Sequence, residues 1–179
     1  MSGQPESEAA SGGARAPEGL SRRGAARLAA VQALYQLELS GGTPPAVIEE
    51  FVRHRLGEEQ DGLTLAELDR GLFASLVQGV AKESDQLDDM LSAVLAEDWP
   101  VERLERILRV ILRTGTYELE HFSGTPARVV ISEYVALADG FFLGKEPAMA
   151  NGVLDRLARE LRPDEFPDAE HDYRPGDTT

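Results

Sequence analysis

"VERLERILRVILRTGTYEL", residues 101–119, decides the fold class. Leu104, Ile107, Leu108, Ile111, Leu112 and Leu119 recur at helical spacing over so wide an arc that the segment reads as a central helix with neighbours on most sides. Pro100 stands at a first-turn position, where a missing N–H costs nothing, and "EDWP" ahead of it marks a break. Arginines interrupt the apolar run, which falls far short of the roughly 20 uninterrupted apolar residues of a membrane helix.

Working outward, the flanking segments carry helix punctuation. "GTPARVVISEYVALADGFF" (124–142) offers Thr125 as cap and Pro126 as first-turn residue, with Val130, Tyr134, Leu137, Ala138 and Phe141 at helical spacing. The β-branched "RVVI" leaves a strand as the alternative there. "EPAMANGVLDRLARELR" (146–162) has Pro147 near its start and turns Met149, Val153, Leu154, Leu157 and Leu161 one way. Upstream, "SRRGAARLAAVQALYQLELSG" (21–41) aligns Leu28, Val31, Leu34, Tyr35 and Leu39, then stops where Gly41 takes a left-handed cap. Thr43 and Pro44 open the next helix, with Val47, Ile48, Phe51, Val52 and Leu56 before Gly57. Thr64 and Glu67 form a capping box ahead of a stripe from Leu65 to Val80, and Ser84 or Asp85 restarts a shorter helix through Leu95. The expectation is an all-α protein of about seven helices in compact bundles, with no repeat of fixed period.

Residues 20–162 form this helical body. The Gly-, Ser-, Ala- and Pro-rich 1–19 and the acidic 163–179 read as disordered extensions, since neither holds enough apolar residues to offset its ordering entropy. Glu6 and Glu8, without an apolar run, argue against a secretory signal, and the absence of cysteine fits a reducing cytoplasm.

A formal net charge of −14 opposes general nucleic-acid binding, because phosphate neutralisation dominates such affinity. The acids are unevenly placed, however. Asp164, Glu165, Asp168, Glu170, Asp172 and Asp177 crowd the tail against Arg174, whereas residues 21–37 hold Arg22, Arg23 and Arg27 and no carboxylate before Glu38.

No catalytic constellation emerges. His54, His121 and His171 lack any metal-binding spacing and read as surface residues, so neither metal nor cofactor is expected. "GFFLGK" (140–145) is one residue short of a phosphate loop, places Glu146 where Ser or Thr must hold magnesium, and follows a helix where a strand is required. Asp88/Asp89 and Glu49/Glu50 diverge by about 100° as helix neighbours and read as solvated faces. Asn151 and Gly152, inside a helical stripe, suggest close approach of another helix instead of a hairpin.

The arginines are the feature left over. Arg23 and Arg27, four apart, share a helix face beside Gly24, Ala25 and Ala26, small residues that leave the backbone accessible. Helix-start amides with guanidiniums make an anion site suited to phosphate; pairing with the chain's own acids is the other reading, and spacing alone leaves both open. On the central helix, Glu102 and Glu105 lie among Arg103, Arg106, Arg109 and Arg113, which suggests local ion pairs for the first three.

"RRGAARLAAVQALYQLELS", "ILRVILRTGTYEL", "PARVVISEYVALADGFF" and "ANGVLDRLARE", in that order, resemble the NusB family of bacterial transcription antitermination factors over about residues 20–162. The resemblance implies two packed helical bundles without catalytic activity. It further implies binding to the boxA element of ribosomal RNA leader transcripts together with a small-subunit ribosomal protein, NusE, within the transcription elongation complex. Its RNA-contacting region corresponds to the start of the first helix, here Arg22, Arg23 and Arg27, with Lys145 and Met149 at the start of the last. Tyr35, Arg113 and Glu118 would lie toward the ribosomal-protein partner. Gly24 and Ala25 stand where many members keep basic residues, which implies weaker RNA binding by the lone chain. A helical protein–protein module is the competing reading. RNA cytosine methyltransferases carry a similar helical domain, but their cofactor-binding domain has no counterpart here.

Overall fold

The computed structural model describes residues 20–55 and 68–167. The described residues form seven α-helices: α1 (Arg22–Ser40), α2 (Pro44–Arg55), α3 (Arg70–Lys82), α4 (Ser84–Val94), α5 (Arg106–His121), α6 (Ala127–Phe141) and α7 (Glu146–Leu161). Short 3-10 turns at Val101–Arg103 and Pro163–Glu165 accompany them, and no strand occurs among these residues. "RVVI" is thus helical: Val130 and Ile131 are buried on α6, where packing overrides β propensity.

Helices α1, α2 and α3 pack on one another, as do α4, α5, α6 and α7, giving two bundles. α5 touches α1, α3, α4, α6 and α7, which makes it the central helix that its wide apolar arc implied. Ala26, Ala30 and Ala33 of α1 are fully buried, and their small side chains let the helix approach α3 and α5 closely. Tyr117 of α5 lies over Gly79 of α3, where a Cβ would come within 2.0 Å of the ring.

Boundaries follow partly from local chemistry. Ser21 caps α1 by accepting from the Gly24 N–H at 3.0 Å, and Gly41 ends it with φ 66°. Asp69 caps α3, accepting from Leu72 N–H at 3.0 Å; the Thr64/Glu67 capping box lies outside the described residues. Pro100 opens only the 3-10 turn. Leu104 is extended (ψ 141°), and α5 begins at Arg106.

Thr125 does not cap α6. The first turn is held by Glu165, whose carboxylate accepts from the Ala127 N–H at 2.7 Å, while Thr125 Oγ1 is buried without a partner. Ordered structure therefore continues beyond residue 162. Phe166 is 6% exposed, and the guanidiniums of Arg128 and Arg159 lie 5.3 and 4.8 Å from its ring centroid. Arg162, buried at the end of α7, donates to the carbonyls of Leu119 (2.7 Å), Thr125 (2.6 Å), Phe122 (2.9 Å) and Glu118 (3.1 Å), and to Glu165 (3.1 Å). It supplies partners that the end of α5 cannot find within itself. Residues 1–19 and 168–179, read from sequence as disordered, lie outside the described residues.

The Ala127 hydrogen bond holds the Glu165 carboxyl below its ordinary pKa; partial burial opposes the shift and Arg162 adds to it. A lowered folded pKa stabilises the fold above the unfolded value, and that contribution is lost as pH falls through the folded one. Glu165→Gln is therefore expected to flatten the acid limb of a urea-stability profile below the usual carboxylate range and leave its neutral-to-alkaline part unchanged in shape.

Candidate nucleic-acid interface

The start of α1 has arginine on two sides with different fates. Arg22 and Arg23 are exposed, and the first turn contains no acid, so the positive end of the helix dipole is uncompensated by its own sequence. Arg27, one turn further, is 3% exposed. Its Nε donates to Glu118 Oε2 at 2.9 Å and Oε1 at 3.2 Å, its Nη2 to Glu118 Oε1 at 2.6 Å, and its Nη1 to Glu133 at 3.3 Å. Tyr134 completes the group by donating its hydroxyl to Glu118 Oε2 at 2.8 Å.

This corrects two expectations. Arg27 does not share an open cationic face with Arg23, because its side of α1 is turned toward α5 and α6. Glu118, wholly buried, faces Arg27 and offers nothing to a partner. Burial by itself lowers the Arg27 pKa, but the hydrogen bonds and charge of Glu118, helped by Tyr134 and Glu133, more than reverse it and hold the guanidinium charged. Burial, then the Glu118 charge and hydrogen bond, push the Tyr134 phenol well up. Gly24, Ala25 and Ala26 are likewise buried, so their backbone is not an open ledge; a Cβ on Gly24 would sit 3.3 Å from Glu133.

Arg113 is partly buried between α1 and α4. It donates to Asp88 through Nε and Nη2, both at 2.6 Å, and to Glu38 through Nη1 at 2.5 Å. Burial lowers its pKa, and the bonds and charges of Asp88 and Glu38 outweigh this and raise it. Arg109 (3.2 Å) and Arg106 (3.5 Å) also reach Glu38. The arginines of α5 thus tie helices together and do not form the local pairs with Glu102 and Glu105 that spacing suggested. A groove beside them is lined by Leu34, Leu37, Val80, Val110, Glu38 and Arg113. Tyr35 is partly buried on α1.

At the other helix start, Lys145 is exposed and Met149 is partly buried against the core. The "GFFLGK" stretch spans the end of α6 and the loop into α7, the wrong context for a phosphate loop. Gly152 has open space above it, so no helix approaches there. Glu83, Glu120 and His121 are the one described group with metal-ligand composition: His121 Nε2 lies 2.8 Å from Glu83 and 3.6 Å from Glu120, near the surface. The arrangement serves as a surface ion pair when the imidazole is protonated. His121 is exposed, as anticipated, whereas the side chain of His54 and all of His171 lie outside the described residues.

No described helix is long and apolar enough to cross a membrane. Sequence reasoning did not single out Trp99, which is 37% exposed with the Lys145 ammonium 6.0 Å from its ring centroid. A lone tryptophan between two helical patterns was the available signal.

Comparison with known proteins places this geometry in context. The chain is 46% identical over 154 residues to the transcription antitermination protein NusB of Rhodopseudomonas palustris (strain BisB18), covering 84% of this chain and 91% of the relative. It is 47% identical over 145 residues to the protein of that name from Nitrobacter hamburgensis, covering 81% and 91%. Among solved structures, NusB of T. maritima superposes with a TM-score of 0.67 at 26% identity, covering 82% of this chain and 97% of that one. A crystal structure of antitermination factors NusB and NusE in complex with double-stranded RNA shares the fold, with a TM-score of 0.64 at 23% identity, covering 78% and 97%. Residues 24–159 match the NusB family, and with these relatives across the helical body the chain belongs to that family.

Proposed function

We propose that the chain is a non-catalytic RNA-binding adaptor of transcription antitermination. It holds boxA-containing RNA of ribosomal leader transcripts jointly with the ribosomal protein NusE, within the elongation complex and in the cytoplasm. The observation that carries this reading is the exposed pair Arg22 and Arg23 at an acid-free helix start, on a family member whose net charge is −14. Relatives across the family bear the antitermination name, and one structural neighbour was solved with NusE and RNA.

In this reading Arg22 and Arg23 meet phosphate, Lys145 and Met149 border the RNA at the start of α7, and Tyr35 and Arg113 flank the side that faces NusE. Arg27 and Glu118 act from behind, by fixing the orientation of the helix start. At a net charge of −14, affinity depends strongly on the second protein.

The test titrates labelled boxA and scrambled RNA across salt, with and without NusE. Tighter binding of boxA, strengthened by NusE and weakened by salt, is expected. Arg23→Ala should reduce the slope of log K against log salt by about 0.7, the share of one single-strand phosphate contact. Equal affinity for both RNAs under every condition would remove the reading. RNA binding that Arg23→Ala leaves unchanged, with a protein contact weakened, would favour a protein-binding module.

A further inference from the structure

We infer that Trp99 is a stacking platform for one unpaired nucleobase. The inference rests on the RNA-binding reading above and adds a residue and a ligand class to it. Trp99 is the chain's single tryptophan. It follows α4 in a tight turn closed by its own N–H donating to the Ala96 carbonyl at 2.9 Å. Pro100 then fixes the chain direction (φ −66°), and Val101 and Leu104, buried at 2% and 5%, anchor the segment beyond. The backbone on both sides is therefore held, and the indole cannot withdraw by a simple loop movement.

Trp99 nevertheless remains 37% exposed, where burial would remove a large apolar area from water. The Lys145 ammonium lies 6.0 Å from the centroid, at the N-cap position of α7 and on the RNA side proposed above. Leu143, two residues earlier, is fully exposed. A nucleotide satisfies both groups: its base takes the indole surface over which the ammonium now lies, and its phosphate takes the lysine. The same turn carries exposed Glu97 and Asp98, with Glu102 just beyond, which repel a sugar–phosphate backbone laid directly across it. Only a base extended from the strand reaches the ring without bringing phosphate onto those acids. A duplex, with its bases already stacked and paired, does not supply one.

The uniqueness of Trp99 makes its emission a direct reporter. The full chain with NusE is titrated with single-stranded boxA RNA and with the same sequence as a duplex, following tryptophan emission and, separately, the anisotropy of labelled RNA. The Trp99→Phe complex provides the background for any tryptophan in the partner. Expected are quenching by the single strand and not by the duplex, and about tenfold weaker single-strand binding for Trp99→Ala. That loss should leave the salt slope unchanged, whereas Lys145→Ala should lower the slope by about 0.7. Trp99→Phe, which keeps an aromatic face, should recover most of the affinity; a thermal scan of each variant separates this from a folding defect. Single-strand binding that Trp99→Ala leaves intact, with emission unmoved in the parent, overturns the platform and spares the RNA-binding reading. Absence of binding to either RNA by the intact pair overturns the reading itself.

Discussion

Glu118→Ala is expected to lower the free energy of unfolding by about 3–5 kcal/mol, measured by urea denaturation at neutral pH. The loss comes less from the attraction removed than from what stays behind. Arg27, 3% exposed, would keep its charge with only Glu133 at 3.3 Å beside it, and Tyr134 would lose the acceptor of a buried hydroxyl. The guanidinium cannot escape by deprotonating, because its pKa lies far above neutrality. Removing both ions together should be milder: Arg27→Met with Glu118→Leu leaves no fully buried charge, since Glu133 is partly exposed to water, and is expected to recover much of the lost stability, short of the acceptor that the Tyr134 hydroxyl still lacks. A double variant as unstable as the single one would show that the site cannot repack around apolar side chains.

Arg162→Ala carries the next largest effect, about 3 kcal/mol or more on the same measurement. One guanidinium satisfies the carbonyls of Glu118, Leu119, Phe122 and Thr125, which close α5 and lead into α6. Truncation takes the guanidinium from the Leu119 and Thr125 carbonyls in a buried place, leaves those of Glu118 and Phe122 only their backbone donors Phe122 and Thr125, and releases Glu165, which caps α6 at Ala127. Hydrogen exchange should therefore speed up at the end of α5 and the start of α6, while α1 to α3 keep their protection. Arg162→Lys should rescue only part of the loss, because an ammonium has three donors on a point and cannot reproduce the planar fork.

The helices were legible because periodicity, glycine and proline are local signals. The wide apolar arc of residues 104–119 correctly placed α5 at the centre, and Gly41 ended α1 as its position suggested. Partners distant in sequence were not legible. Arg27 and Glu118 are 91 residues apart, so spacing showed a shared face with Arg23 but not that an acid waits opposite one arginine and not the other. Adjacency points to Thr125 as the cap of α6; the real acceptor, Glu165, lies 38 residues beyond Ala127 in a segment whose acids and prolines read as unstructured. Pro100 started a turn, not the central helix, because extended Leu104 separates the two. On the RNA side, composition hid the surface: the net charge includes acids far from α1, and Trp99 belongs to no periodic pattern.

The division of labour between Arg23 outside and Arg27 inside is the central claim, and the salt slope of RNA binding tests it most directly. It is measured with NusE present for the parent chain, Arg23→Ala, and the Arg27→Met, Glu118→Leu pair. The expected result is a slope reduced by about 0.7 for Arg23→Ala and unchanged for the folded double variant. A slope that drops in the double variant and holds in Arg23→Ala would contradict it, and would make the buried guanidinium the one that meets RNA.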